Sequence, residues 1–352
     1  MKKVAIAAAV AGAFATSATA AELSTFIYQD YALSFNSKQT AGSATVDSTS
    51  IDDAGSNMIN FNYSDDLGNG LGLIGSYSMT ANGSAARSAS ADGVVNRNSF
   101  IGLTGDFGTI TLGTHELTNE LEYILRDGWD ANFGFLGGSA YGTSFVGRTN
   151  ITISQNYGDT INWTSNDMNG VTLNVAYVMA NDTASATTDH TGVEANILYN
   201  AGALKLSAGI LDHSDIATDT SSATAGNYLE ATRVSATYDF GTFSVAGSIL
   251  GMKSKVGSTQ ADQDSRHINF TMPTASGRMI ANYTTSGDQT VGGSTSANSG
   301  YSGWDLGYMH DASANTKMYV RYGSMTKEAN YTSSGGSEVT TDNLQVGIRY
   351  VY

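Results

Sequence analysis

The sequence predicts an all-β fold, a transmembrane antiparallel β-barrel of about 16 strands. Apolar and polar residues alternate with period two along most of the chain, tight glycine-bearing turns separate the alternating runs, and proline and helical periodicity are nearly absent. The texture is uniform and nothing resembling a linker divides the 352 residues, so a single architecture is expected. With 32 acidic against 17 basic residues the net charge is −15, which excludes a basic surface for nucleic acid. The absence of cysteine excludes disulfides and thiolate metal sites.

Residues 1–20 read as an export signal that is removed, leaving residues 21–352 as the barrel. Lys2 and Lys3 precede an apolar run over 4–15, and Ala18-Thr19-Ala20 supplies the small-x-small cleavage pattern. That run is too short to span a bilayer, which takes about 20 apolar residues. No apolar run that could cross as a helix follows it, so an exported chain that enters a membrane must enter as strands.

The alternation is clearest where Leu344, Val346, Ile348, Tyr350 and Tyr352 are interleaved with Gln345, Gly347, Arg349 and Val351. Met318, Val320 and Tyr322 repeat it against Lys317, Tyr319 and Arg321, as do Trp304, Leu306 and Tyr308 against Asp305 and Gly307. Earlier strands show the same greasy face through Val171, Leu173, Val175 and Tyr177, through Val193, Ala195, Ile197 and Tyr199, and through Leu204, Leu206, Ala208 and Ile210. Alternation alone also fits a soluble sandwich. Against that, the intervening residues are often glycine, serine, asparagine or charged, and aromatic residues such as Tyr238 and Phe240 sit at strand ends beside turns, where interfacial girdles lie.

Short turns are expected at Asp66-Leu67-Gly68-Asn69-Gly70, Asp106-Phe107-Gly108, Asp167-Met168-Asn169-Gly170, Asn200-Ala201-Gly202, Asp239-Phe240-Gly241, 274–277 and 311–315. Longer polar stretches over 37–50, 183–189, 212–226, 286–300 and 327–340 alternate with them as loops. Seven short turns with both ends of the chain on one side imply eight hairpins, hence about 16 strands. One interval is too long: about 60 residues separate Gly108 from Asp167, against about 32 to 39 elsewhere. The excess falls within 114–148, where alternation gives way to a brief helix-like stretch, and Leu117, Leu121, Tyr123, Ile124, Leu125, Trp129 and Phe133 favour packing over disorder.

Several segments resemble the general, non-specific porins of Gram-negative bacteria, the trimeric sixteen-stranded diffusion channels of the outer membrane. Asn98-Ser99-Phe100-Ile101-Gly102-Leu103 running through Gly105-Asp106-Phe107-Gly108-Thr109 to Leu112-Gly113 resembles the family's strand, turn and strand leading into its third loop. Ser56 followed by Asp65-Asp66-Leu67-Gly68-Asn69-Gly70-Leu71 is similar to the hairpin before it, and Phe145-Val146-Gly147-Arg148 to the return from the loop. In this order the motifs cover the layout of essentially the whole exported chain. The resemblance implies a constriction loop at about 114–148 folded into the lumen, with Glu116, Glu120, Glu122, Asp127 and Asp130 as its acidic side. It implies a basic pore wall, on which Arg148 is retained; Arg97, Arg321 and Arg349 join that wall by polar-face parity, which Arg233 and Lys205 share. Tyr352 corresponds to the family's terminal aromatic assembly signal. The wall departs from the family pattern, with Asn57 and Thr114 where relatives often carry a basic residue, and the loop tip 134–138 has no carboxylate.

The resulting expectation is a passive, water-filled channel for small hydrophilic solutes and ions, cation-preferring because loop carboxylates with few opposing cations favour a passing cation. Its expected setting is the bacterial outer membrane, with lipid, lipopolysaccharide and the barrel assembly machinery as partners, a homotrimer as assembly and no cofactor. A substrate-preferring channel, for instance for oligosaccharides, would need an aromatic track such as Tyr123, Trp129, Phe133 and Tyr319; a plugged, structural or adhesive barrel is the remaining alternative. No enzyme is expected: His115, His190, His213, His267 and His310 form no HExxH-type metal spacing, and no catalytic serine motif, phosphate loop or dinucleotide fingerprint occurs.

Overall fold

The computed structural model describes residues 21–53, 57–81, 94–116, 129, 156–179, 191–214, 228–256, 258–331 and 336–352. Among them, nineteen strand segments form one antiparallel sheet. They are β1 (Glu22–Thr40), β2 (Val46–Asp53), β3 (Met58–Gly68), β4 (Leu71–Ala81), β5 (Val94–Gly105), β6 (Gly108–Glu116), β7 (Asn156–Thr164), β8 (Val171–Val178), β9 (Thr191–Ala201) and β10 (Leu204–Ser214). The chain continues through β11 (Tyr228–Asp239), β12 (Ser244–Val256), β13 (Thr259–Thr274), β14 (Gly277–Ser286), β15 (Gln289–Val291), β16 (Ser294–Ser296), β17 (Tyr301–Asp311), β18 (Thr316–Lys327) and β19 (Val339–Val351).

Nineteen segments make sixteen staves. Segments β2 and β3 lie end to end along one edge of β1, with Tyr31 opposite Asp53 and Tyr28 opposite Met58. Segments β15 and β16 form a short hairpin that leans on β13 at Ala261 and Asp262, while β14 pairs directly with β17. The other edge of β1 meets β19 from Tyr28↔Val351 to Thr40↔Val339, and this pairing closes the sheet on itself. Ile27 and Tyr352 extend the seam by exchanging backbone hydrogen bonds of 3.0 and 2.9 Å. Closure removes the free edge and pairs backbone groups around the wall, which is how strands cross hydrocarbon.

The side chains are arranged inside out relative to a soluble sandwich. On β19 the apolar Val346 and Ile348 are 49% and 52% exposed, whereas Gln345 and Arg349 on either side of them are 0% and 1% exposed. The same holds for exposed Leu306, Val320 and Tyr322 against buried Asp305 and Arg321. Aqueous solvent would not tolerate so continuous an apolar exterior, and lipid supplies the missing contact. At the short-turn rim, Tyr238, Phe240, Phe243 and Phe270 form a chain of ring contacts at 4.6, 4.7 and 5.2 Å, an aromatic girdle at the expected strand ends.

All seven expected short turns lie at one rim. In the first, Asn69 and Gly70 both take left-handed backbone angles (φ 54° and 75°), the geometry of a two-residue hairpin, and Asp66 Oδ1 accepts a 2.8 Å bond from the Gly68 N–H. The opposite rim differs from expectation in places. Much of 37–50 is strand, with Ser37 opposite Asp47 and Lys38 opposite Val46. The loop over 286–300 contains the β15–β16 hairpin. Above the hydrocarbon an antiparallel ladder needs no greasy face, so Ser- and Thr-rich segments continue it.

Beyond Ile210 the binary pattern reverses. Asp212, Glu230, Lys253 and Asp262 form a directly opposed row on the outer face, while Leu211, Leu229, Leu250 and Met252 are buried inward. The reversal marks the upper edge of the lipid-facing band, because outward charge becomes favourable where headgroups and water replace acyl chains.

A charge placed on the outer face near the middle of β19 should therefore be costly. Val346→Arg should lower the free energy of folding into bilayers by about 2–4 kcal/mol, whereas Lys205→Glu at an exposed lumen-parity position should stay within about 0.5 kcal/mol. Guanidinium titration of folding into vesicles reads both.

Candidate functional site

The inner faces of β1, β14, β17, β18 and β19 converge on one indole. Trp129 is fully buried against Ala32, Ile280, Met309 and Tyr319. Its Nε1–H donates to Asp305 Oδ1 at 2.7 Å, and its carbonyl accepts from Nη1 of Arg349. The Arg321 guanidinium lies 5.4 Å from the indole centroid, and Tyr319 meets the ring edge-on at 5.9 Å. Two glycines shape the surface. A methyl at Gly307 would come within 2.6 Å of Trp129 Cη2, and one at Gly347 within 2.1 Å of the Tyr319 ring.

The wall beneath is a connected polar network. Asp30 receives Nε and Nη2 of Arg349 at 2.8 and 2.7 Å on one oxygen and the Tyr319 hydroxyl at 2.8 Å on the other. The Asp30 N–H donates to Asn57 Oδ1 at 2.7 Å. Asn57 thus occupies the break between β2 and β3 and satisfies a backbone donor that the interrupted ladder leaves open. Arg321 donates twice to Gln345 Oε1, at 2.9 and 2.7 Å, and Gln345 donates to Ser34 Oγ. Asp305 also accepts from Asn282, which accepts from Asn269 in turn.

Elsewhere on the inner wall, His115 is stacked on Phe100 with centroids 4.8 Å apart, and its Nε2 is 2.8 Å from the Thr111 hydroxyl. His213 and Glu194 approach to 3.3 Å. Asn174 bridges Asn162 and Thr164 at 2.9 Å each.

Of the wall arginines read from the sequence, Arg321 and Arg349 face inward as their parity implies and come together around Trp129, each 1% exposed. Arg97 lies on β5 where the β4–β5 register shifts between Tyr77 and Met79, so alternation counted through that point does not fix its face. Glu116 is the last residue of β6, opposite Asn156. Glu120, Glu122, Asp127, Asp130 and Arg148 lie outside the described residues, as do most of 114–148 and all of 1–20. Tyr352 sits at the β1–β19 seam with its side chain exposed. Asp30 and Asp305 were missed by reading carboxylates from the long loop alone; a charged residue at lumen parity between Trp304 and Leu306 was the available signal.

A closed barrel with lipid-facing apolar side chains and a polar inner wall is an integral membrane protein enclosing a lumen. The family model described as Gram-negative porin matches residues 5–330, and the chain belongs to that family. Family and fold together make it a passive outer-membrane channel. No curated protein matches the chain. Among solved structures it is similar to an anion-selective porin from Comamonas acidovorans, with 18% identity, a TM-score of 0.74 and coverage of 95% of this chain and 100% of that one. It is also similar to the trimer form of OmpT, an outer membrane protein of Vibrio cholerae (15% identity, TM-score 0.64, coverage 95% and 100%). A third is Salmonella typhi OmpF in complex with daunomycin (14% identity, TM-score 0.64, coverage 94% and 97%).

Removing one member of the buried seam pair leaves the other uncompensated. Arg349→Ala should cost about 3–5 kcal/mol of folding free energy, and Asp30→Asn combined with Arg349→Met should recover a large part of it. Chemical denaturation of the single and double variants in detergent micelles measures the difference.

Proposed function

We propose that the channel passes small hydrophilic solutes and ions without a cofactor, energy input or catalysis, and that it prefers cations. The observation that carries the reading is the position of Trp129. The chain leaves the wall at the end of β6 and returns at β7, neighbouring staves, yet Trp129 between them packs on β14 and β17–β19, several staves away around the ring. That position of Trp129 on the inner wall, away from β6 and β7, supports 114–148 as the constriction.

Cation preference follows from which charges remain open to water. Arg349 is paired with Asp30, and Arg321 is hydrogen-bonded to Gln345; all four are buried. A matched, sealed pair projects little field into an aqueous bore. The carboxylates Glu116, Glu120, Glu122, Asp127 and Asp130 are then the groups proposed to set the sign. The anion-selective porin shares the fold at 18% identity, and selectivity is carried by side chains, so that protein's anion preference does not transfer. Trp129 and Tyr319, two candidates for a sugar track, are buried at 0% and 3% exposure, which favours the general pore over an oligosaccharide channel.

Export through a signal over 1–20, contact with lipopolysaccharide, delivery by the barrel assembly machinery through Tyr352 and assembly as a homotrimer complete the proposal. The trimer form of the Vibrio cholerae protein supports the last.

Planar-bilayer recording tests the function. Stepwise ohmic openings are expected, with a reversal potential in a salt gradient giving a cation-to-anion permeability ratio above about 2. Glu116→Gln with Glu120→Gln and Glu122→Gln should move the ratio toward unity. An anion-selective parent overturns the proposed preference, reversible block by one sugar favours the substrate-preferring channel, and silence favours a plugged barrel.

A further inference from the structure

We propose that the inner wall at the short-turn mouth carries a groove for small organic cations with an ammonium at one end, amide groups in the middle and an aromatic ring at the other. The inference rests on the channel reading above and names a solute class for it.

The groove has a volume of about 550 Å³ and lies across β1, β3, β4 and β5. Cross-strand register sets out its floor in two rows. Glu22, Ser64 and Ile74 stand opposite one another in the row nearer the turns, and Ser24, Asn62, Ser76 and Phe100 in the row above. Leu23 and Ile101, the alternate residues on β1 and β5, are exposed on the lipid face, so both rows point into the bore.

Each part of the groove has its own chemistry. At one end the Glu22 carboxylate is exposed and makes no ion pair or side-chain hydrogen bond among the described residues. No lysine, arginine or histidine is among the residues that line the groove. In the middle, Ser76 Oγ donates to Asn62 Oδ1 at 2.8 Å, which leaves the Asn62 amide hydrogens and the Ser24 and Ser64 hydroxyls for a ligand. This stretch both donates and accepts, as a peptide group requires. At the far end, one face of Phe100 is covered by the parallel ring of His115 at 4.8 Å, so a solute meets the remaining face or the edge.

Three stave spacings separate β1 from β5 here, about 14 Å of wall. An extended solute of that order of length engages both ends at once. A metal ion would find a single carboxylate, short of the six or so oxygens that hard cations take. An anion would face Glu22 with no cation beside it, and a neutral solute would leave that charge unused.

The test uses the full barrel and glycyl-phenylalanine amide, whose ammonium, peptide groups and ring match the three parts. Its N-acetyl derivative lacks the charge, and glycyl-alanine amide lacks the ring. In single-channel recording at mildly acidic pH, the first compound should interrupt the current reversibly at a concentration about fivefold lower than either of the others. Block should be stronger from the short-turn side. Glu22→Gln should remove the advantage over the acetylated compound, and Phe100→Leu the advantage over the alanine compound. Because Phe100 also stacks on His115, Glu22→Gln keeps the test independent of its folding.

Equal block by the acetylated compound, or block unchanged in Glu22→Gln, overturns the groove. A parent that never conducts overturns the channel reading instead, and saturation-transfer NMR of the same three compounds on the protein in micelles then decides the groove by itself. An anion-selective parent that still shows the charge-dependent block overturns the cation preference and supports the groove.

Discussion

A backbone amide in hydrocarbon has no water to fall back on, so the ladder between β1 and β19 is the interaction on which the rest of this structure depends. Without it the sheet keeps two open edges in lipid, each a row of unpaired donors and acceptors. With it, the apolar side chains can face outward, because the wall they cover presents no unmet polarity. Thirteen register pairs from Tyr28 to Thr40 make the seam, and the buried ion pair of Asp30 with Arg349 crosses it on the inner side. Such a pair adds little net stability, since desolvation offsets most of the attraction. Its value lies in register. Slipping β1 by one residue against β19 would bring the carboxylate to the lipid face and strand the guanidinium.

The inside-out pattern also decides what a charge on the wall can do. In a water-filled lumen an arginine at inward parity ordinarily faces solvent and acts on passing ions. Here Arg321 and Arg349 lie against Trp129, Arg321 hydrogen-bonded to Gln345 and Arg349 paired with Asp30. Parity gives the direction of a side chain; burial gives its electrostatic reach. The two diverge wherever another segment lies against the wall, and the sequence carries no local mark of that event.

This explains which parts were legible in advance. The seven short turns and the stave count depend on neighbours within a few residues, where Asn69-Gly70 or Asp167 to Gly170 dictates a turn by backbone preference alone. The lipid face was legible for the same reason, as alternation is local. Less legible were features set by distant partners. Ser37 and Lys38 read as loop but pair with Asp47 and Val46. The shift opposite Ser78 breaks the parity count through Arg97. Leu211, Leu229 and Met252 turn inward once the lipid band ends, although the composition of the strand barely changes there. Trp129 read as packing within its loop or as part of a sugar track, and its bond to Asp305 spans 176 residues. No periodicity reports a contact of that separation.

Spending wall arginines on retention has a consequence for how the bore can vary. If the guanidinium groups of Arg321 and Arg349 hold the seam and the indole, exchanging them to tune ion preference would loosen the barrel and its inserted segment together. An exposed wall charge outside that network, such as Lys205 on β10, can change without touching the β1–β19 seam. Buried, paired charges such as Asp30 and Arg349 serve the wall, and exposed ones are free to vary. Low identity among barrels of shared fold is then compatible with different ion preferences, because the fold constrains only the first set.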